Sequence, residues 1–215
     1  MKFLLKSILF LTLIFLITAC SGTKNFNAKN LNESGFTKAE INLIMQRDSS
    51  IPMRVYKINS KSDSLLLRTK SSHVTVNPND PILQNFVNRL YSTVRDSMSL
   101  GVGIAAPQVG ILKNIIWVQR FDKEEFPFEV YLNPKIIQYS DQKQTFIEGC
   151  LSIPDRSETL YNRSYSIQIA YDTMENTHKT ETVEGFTSVI FQHEIDHLNG
   201  ILYLDHLEKE VKDSE

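Results

Sequence analysis

Cysteine is scarce. The 215 residues hold two, Cys20 at the end of a long apolar run and Cys150 far downstream, so a disulfide scaffold is excluded. If processing consumes the first, no intrachain pair can form, and the remaining thiol needs another reason to be present. Eight Gly and seven Pro without a repeating period exclude a collagen-like or low-complexity chain. Neither sign of charge dominates: 23 Lys and Arg stand against 25 Asp and Glu, and nothing argues for a nucleic-acid partner. What is present is ordinary globular material, 41% hydrophobic and 22% charged. About 195 residues remain behind any leader, enough for one domain with its own core.

The one long apolar run opens the chain. Lys2 and Lys6 precede residues 8–17, which are apolar apart from Thr12, and small residues then lead to Cys20. That is the order of a secretory signal. The apolar stretch is shorter than the ~20 residues a bilayer core requires, and no charged stop-transfer cluster follows it. Ile17-Thr18-Ala19-Cys20 resembles the bacterial lipobox, which implies cleavage before Cys20 and acylation of its sulfur and new amino group. The mature protein would then be exported and lipid-anchored to an envelope membrane, facing the periplasm. An ordinary cleaved signal, a buried N-terminal helix or a retained anchor is the alternative on the same residues. Residues 1–19 are thus expected to be a lipoprotein signal peptide. Residues 20–50, rich in Ser, Asn, Lys and Gly, are expected to be the lipidated cysteine and a flexible tether. Loss of Lys2 and Lys6 leaves 21 basic against 25 acidic residues, a net charge of −4.

Residues 51–210 are expected to form the folded domain, with 211–215 a charged tail. Asp80 as cap and Pro81 at the first helical position start a helix that the pattern carries to about Met98. Ile82, Leu83, Phe86, Val87, Leu90, Tyr91, Val94 and Met98 share its apolar stripe, with Asn85, Asn88, Arg89, Arg95 and Asp96 away from it. Strand-like segments follow at 114–119, 129–132, 145–147 and 165–171, and helix resumes near Gly185. Residues 62–76 read as two edge strands around a polar turn. Segregated strands and two long helices, without a regular βα repeat, point to a single α+β domain rather than a doubly wound one.

Gln192-His193-Glu194-Ile195-Asp196-His197 carries the strongest chemistry. Histidines four apart stand one above the other on a helix, so both imidazoles can reach one metal ion. Glu194, about 100° around the helix, can approach a metal-bound water from the side. The same residues could instead be a solvated polar face. A tetrahedral catalytic metal takes three protein ligands and keeps an open position, and Cys150 can complete a Cys/His/His set; its bland alternative is a buried inert thiol. Gly149 before it and Pro154 after it suggest a strand edge that turns tightly. His73, His178 and His206 have no partner at metal-binding spacing. Gly101, Gly103 and Gly110 crowd a third segment. A dinucleotide loop would follow a strand and open a helix, whereas this run follows a helix, precedes a strand and has Ala106 at the third glycine position. A phosphate loop would end in Lys-Ser/Thr. Gln108 then reads as a polar group carried by a small-residue strand beside a substrate.

Gly101-Val102-Gly103-Ile104-Ala105-Ala106-Pro107-Gln108, Glu148-Gly149-Cys150-Leu151-Ser152 and Gln192-His193-Glu194-Ile195-Asp196-His197-Leu198 resemble, in order and spacing, the three signature motifs of peptide deformylases. These enzymes remove formyl from the N-terminal formyl-methionine of new bacterial polypeptides. The likeness extends from about Ile82 to Asp205 and includes Asn133-Pro134 and Asp172. It implies antiparallel or mixed sheets packed around a central metal-binding helix. It further implies one divalent ion on Cys150, His193 and His197, iron(II) first, with zinc or nickel accepted. Glu194 would exchange the proton, and the Gln108 side-chain amide and Leu151 backbone N–H would face the formyl oxygen. Gly101, Gly103 and Gly149 would let backbone close around a small acyl group. Ile153, Val189 and Ile190 are candidates for a methionine pocket. Arg156, one position displaced from the family's arginine, is a candidate for the peptide backbone, and an exposed ion pair is its alternative. The implied partners are N-formylated peptides and, through Cys20, a membrane; the implied working form is a monomer.

The address departs from the family pattern, because formyl-methionine is removed in the cytoplasm. An exported, more oxidising compartment threatens a thiolate and iron(II), which favours zinc. A different small metallohydrolase or peptidase with the same His193-Glu194-x-x-His197 geometry, or a non-catalytic peptide-binding lipoprotein, stays compatible with these residues.

Overall fold

The computed structural model describes residues 35–96 and 101–214. The leader, Cys20, the first part of the expected tether and Met98 lie outside the described residues. Order starts upstream of residue 51. Thr37 and Glu40 form a reciprocal capping box that starts α1, Lys38–Met45, and Phe36 and Ile44 are buried in the main core. Residues 36–45 therefore belong to the folded body rather than to a tether. Ser60 accepts from the Asp63 N–H and opens α2, Lys61–Leu67. This helix replaces the expected edge strands: the apolar run at 65–67 supplies one buried anchor, Leu67, while Leu65 is exposed.

Asp80 caps α3, Pro81–Val94, with Pro81 at its first position. Ile82, Leu83, Phe86, Val87, Leu90 and Val94 are buried as the stripe requires, whereas Tyr91 is exposed. Arg89, expected on the polar side, is only 2% exposed. Its guanidinium reaches the Leu43 and Ile44 carbonyls at 2.9 Å and the Ile51 carbonyl at 3.0 Å. It satisfies orphan acceptors at the end of α1, which a pattern confined to α3 could not reveal.

Seven strands follow: β1 (Gly103–Ala105), β2 (Ile115–Gln119), β3 (Phe128–Tyr139), β4 (Lys143–Cys150), β5 (Ile153–Ser164), β6 (Ser166–Asp172) and β7 (His178–Glu184). Strands β1-β2-β3-β6-β7 form one antiparallel sheet in that order, and β4-β5 form a separate hairpin. Strands β3 and β4 run longer than the expected 129–132 and 145–147, and β1, β5 and β7 are not among the expected strands; the added ends carry exposed residues without a clean alternation. Two helices close the chain, α4 (Gly185–Leu198) and α5 (Tyr203–Ser214), so the expected tail at 211–215 begins inside a helix.

Alternation across β1 and β2 separates two cores. Ile104 and Ile115 face α3, while Ala105 and Ile116 face α4. Helix α4 is buried along nearly its whole length, so its polar residues sit in the interior and need partners there. A smaller cluster of Ile153, Leu160, Leu202 and Tyr203 ties β5 to the start of α5. Among the described residues no helix is long and apolar enough to cross a membrane.

Candidate active site

Strand β4 ends at Cys150, and β5 begins three residues later with Ile153 paired opposite it. This tight reversal points the thiol at α4. The ligand atoms of Cys150, His193 and His197 all lie within 4.8 Å of one another, with the Cys150 Sγ 3.2 Å from the His197 Nε2. His193 Nδ1 is 2.8 Å from a Glu148 oxygen, which fixes the ring and leaves Nε2 for a metal. His73, His178 and His206 lie outside this cluster.

Two observations test whether the residues fit a metal. Soft sulfur and two imidazole nitrogens form a donor set suited to iron, zinc or nickel. The adjacent Glu194 is 4% exposed, and its Oε2 has no hydrogen-bond partner; a buried unpaired oxygen beside three converging donors suits a site completed by an ion and its attendant water. Burial pushes the Glu194 carboxyl up to about 7, against the pull of the two histidines. Burial also opposes charge on Cys150, but the His197 and His193 imidazoles prevail and hold its thiol well below the usual range.

Gln108 is brought to the thiol by a 3-10 turn, Ala106–Val109, not by a strand. Its Oε1 accepts from the Ala105 N–H at 2.8 Å. That orients the amide Nε2 toward the Ser152 hydroxyl at 3.3 Å and the Cys150 sulfur at 3.6 Å. The Gln108 carbonyl in turn accepts from the Tyr56 N–H at 2.7 Å, and the Ser152 carbonyl from the Ile58 N–H at 3.0 Å. The stretch before α2 thus pins both walls of the site, through links across about fifty and about ninety residues that sequence reading missed.

The glycines divide. A Cβ on Gly103 would lie 2.5 Å from Glu194 Oε1 and 2.8 Å from Ile190 Cγ2; one on Gly101 would lie 3.1 Å from Val94 and 3.2 Å from Leu151. On Gly149 the nearest atom would be 3.9 Å away. Close approach of protein atoms therefore accounts for Gly101 and Gly103, whereas at Gly149, which lines the pocket, the hairpin leaves ordinary contact distances to the protein.

A pocket of about 490 Å³ opens over these groups. Leu151, Ile153, Val189, Ile190 and Phe186 supply apolar wall, and Lys57, Asp155 and Arg156 also line it. Arg156 pairs with Glu158 at 2.7 Å while half exposed, so the ion-pair alternative and a pocket position hold together. Phe186 and Lys57 escaped the sequence reading because neither belongs to a motif.

Behind the metal ligands lies a buried ionic chain that the motifs only partly disclose. Arg163 meets both oxygens of Glu148, at 2.6 and 2.9 Å, and Asp196 at 2.8 Å. Asp196 also faces His206 Nε2 at 2.8 Å. Burial would raise the Glu148 carboxyl, but His193 and Arg163 hold it down at about 2. Glu148 and Asp196 fall inside the motifs, yet Arg163 carries no local signal; a buried arginine becomes legible only when its partners are in place.

A converging Cys/His/His set, a buried carboxylate with one unpaired oxygen and an amide aimed into the same pocket, on an α+β scaffold, define a mononuclear metal-dependent hydrolase. Comparison with known proteins makes the class specific. The polypeptide deformylase family model matches residues 53–213, and the chain belongs to that family. It is 39% identical over 162 residues to the peptide deformylase of Desulforudis audaxviator, covering 71% of this chain and 94% of that one. The Wolbachia pipientis enzyme is 38% identical over 152 residues, 66% of this chain and 82% of its own. The crystal structure of the Acinetobacter baumannii class I type b peptide deformylase with Met-Ala-Ser bound superposes with a TM-score of 0.64 at 30% identity, covering 73% of this chain and 99% of that one.

Proposed function

We propose that this protein hydrolyses the formyl group from N-terminal formyl-methionine of short peptides, in an exported form held to an envelope membrane by lipid on Cys20. The convergence of Cys150, His193 and His197 beside the unpaired Glu194 oxygen in one pocket carries the chemical reading. Cys150, His193 and His197 would hold one divalent ion. When bound, the ion supplies a Lewis acid that polarises the formyl oxygen and lowers the pKa of ligated water. Glu194 accepts a proton from the attacking water and later passes it to the leaving amine. The new C–O bond forms at the formyl carbon, the C–N bond breaks, and formate leaves with a free amino terminus. As negative charge grows on the formyl oxygen, the Gln108 Nε2–H and the Leu151 backbone N–H donate to it.

Gly101 and Gly103 keep the reacting end narrow. Ile153, Val189 and Ile190 receive the methionine side chain, and Arg156 meets the peptide backbone at the mouth. The Met-Ala-Ser bound by the Acinetobacter relative supports a short peptide as ligand. Sulfur and imidazole donors suit iron(II) first, with zinc or nickel accepted, and an oxidising compartment raises the share of zinc. The lipobox-like Ile17-Thr18-Ala19-Cys20 and the short preceding apolar run support the address. The protein works as a monomer.

A formate-release assay on the leaderless chain, purified without air, tests the chemistry with N-formyl and N-acetyl peptides. Metal-dependent release from the formyl series is the expected result, and its absence overturns the proposal. Mass spectrometry of the exported protein tests the address separately; an unmodified Cys20 overturns that part alone.

A further inference from the structure

We propose that Phe146, Phe186, Phe121 and Phe126 form an aromatic shelf that prolongs the catalytic pocket and receives an apolar, ring-bearing side chain at the third residue of a formylated peptide; this rests on the deformylase reading of that pocket. The rings touch in series from the pocket wall to the loop between β2 and β3. Phe186 lines the pocket and stacks on Phe146, with centroids 4.6 Å apart and planes 9° from parallel. Phe121 meets Phe186 at 5.1 Å, and Phe126 meets Phe121 at 5.5 Å. Phe126 is 52% exposed, and Ile147, also on the pocket wall, is 68% exposed. A line of apolar surface therefore leads from the pocket into solvent, continuous with the site rather than scattered.

Helix α4 sets the scale. Counted back from the metal ligand His193, Val189 and Ile190 lie about one turn away and Phe186 about two turns, ~10 Å along the axis. An extended peptide advances ~3.3 Å per residue and puts alternate side chains on one face. With the formyl group at the metal and the methionine side chain against Val189 and Ile190, the second side chain points away. The third returns to the same face ~7 Å further on, level with Phe186 and Phe121. The pocket, about 490 Å³, falls in the range that holds drug-sized ligands and exceeds the needs of one side chain.

The outer end of the shelf is held in place. Glu125 and Phe126 both take left-handed backbone, φ 62° and 49°, a conformation that costs a non-glycine residue and persists only where the surroundings enforce it. Here the Arg120 N–H bonds the Pro127 carbonyl at 2.8 Å, and the Phe126 N–H bonds the Lys123 carbonyl at 3.3 Å. The buried Arg120 guanidinium grips both oxygens of Asp122, at 2.8 and 2.7 Å. The loop so fixed lays the Phe126 ring back against Phe121.

The metal-loaded full chain is tested with formyl-Met-Ala-Ser, formyl-Met-Ala-Phe and formyl-Met-Phe-Ala. Phenylalanine at the third residue should raise kcat/KM for formate release about tenfold over serine, through KM, and should exceed the same ring at the second residue. Phe126→Ser should abolish that preference and Phe126→Tyr should keep it. Calorimetric titration with the deformylated peptides Met-Ala-Phe and Met-Ala-Ser reads the same preference without turnover. Absent formate release thus counts against the deformylase reading, whereas equal binding of these two peptides counts against the shelf. The proposal is overturned if the wild type binds both alike, if the second position outdoes the third, or if Phe126→Ser keeps the full preference.

Discussion

Replacing Gly103 with Ala places the most informative single methyl group in the molecule. Its Cβ would stand 2.5 Å from Glu194 Oε1 and 2.8 Å from Ile190 Cγ2, where ordinary contact starts at 3.4 Å. Glu194 must therefore retreat by roughly 1 Å, and misplacement on that scale costs about 10²-fold in rate. Overpacking adds about 1–3 kcal/mol of destabilisation. Gly101→Ala meets Val94 and Leu151 at 3.1 and 3.2 Å, so both side chains yield by tenths of an ångström and the loss is small. Gly149→Ala meets nothing nearer than 3.9 Å; it should keep full activity and gain up to about 1 kcal/mol from a less flexible unfolded chain. The assay is kcat for formate release, with metal content and urea unfolding measured in parallel so that a misplaced carboxylate is separated from a lost ion. Gly103→Ala at wild-type kcat with its metal in place, or Gly149→Ala falling as far as Gly103→Ala, would refute the reasoning.

Glu194→Gln should retain metal and lose about 10²–10⁴ in turnover. In the wild type the base is the carboxylate, so activity rises with pH through its titration. Burial places that near 7 in the metal-free chain, and a divalent cation beside it moves the limb lower; a pH–rate profile of the glutamine variant with the same acid limb removes Glu194 from the role. Cys150→Ala should deplete tightly bound metal, and unchanged stoichiometry and affinity by metal analysis would take the thiol out of the ligand set. Arg163→Leu leaves the buried Glu148 without its guanidinium and the half-buried Asp196 with His206 alone, and should cost about 3–5 kcal/mol by urea unfolding. The folded Glu148 carboxyl sits at about 2, below its ordinary 4.5, so its contribution is present above pH 4.5 and fades as pH falls toward 2. His193 still holds Glu148 in the leucine variant, so that dependence should weaken rather than vanish, and an unaltered slope would show that Arg163 does not hold Glu148 down.

Local signals were legible wherever a residue acts through its own neighbours in the chain. Asp80-Pro81 announces α3 because cap and φ restriction act within one turn. Thr37 and Glu40 announce α1 equally well, yet the polar composition of 21–50 hid the box. Ser60 and Asp63 could likewise have revealed α2, where three consecutive leucines suggested strand. Arg89 and Arg163 had no such signal. Each is a charged residue whose burial is made possible by acceptors from other elements, carbonyls of α1 in one case and carboxylates of β4 and α4 in the other.

The amino-acid sequence alone determined the ligand types and their order, because i,i+4 histidines on a helix and a thiol beside a tight reversal are set by short-range geometry; the fold class followed from segregated strand and helix patterns, and the family from the resemblance of three motifs. Only the tertiary structure decided that Gln108 rides on a 3-10 turn held by Tyr56. It alone separated Gly103 from Gly149 and joined Glu148 to His206 through Arg163 and Asp196. Those are distances between atoms far apart along the chain, and they come into being only when the antiparallel register, the β4-β5 reversal and the burial of α4 bring the segments together.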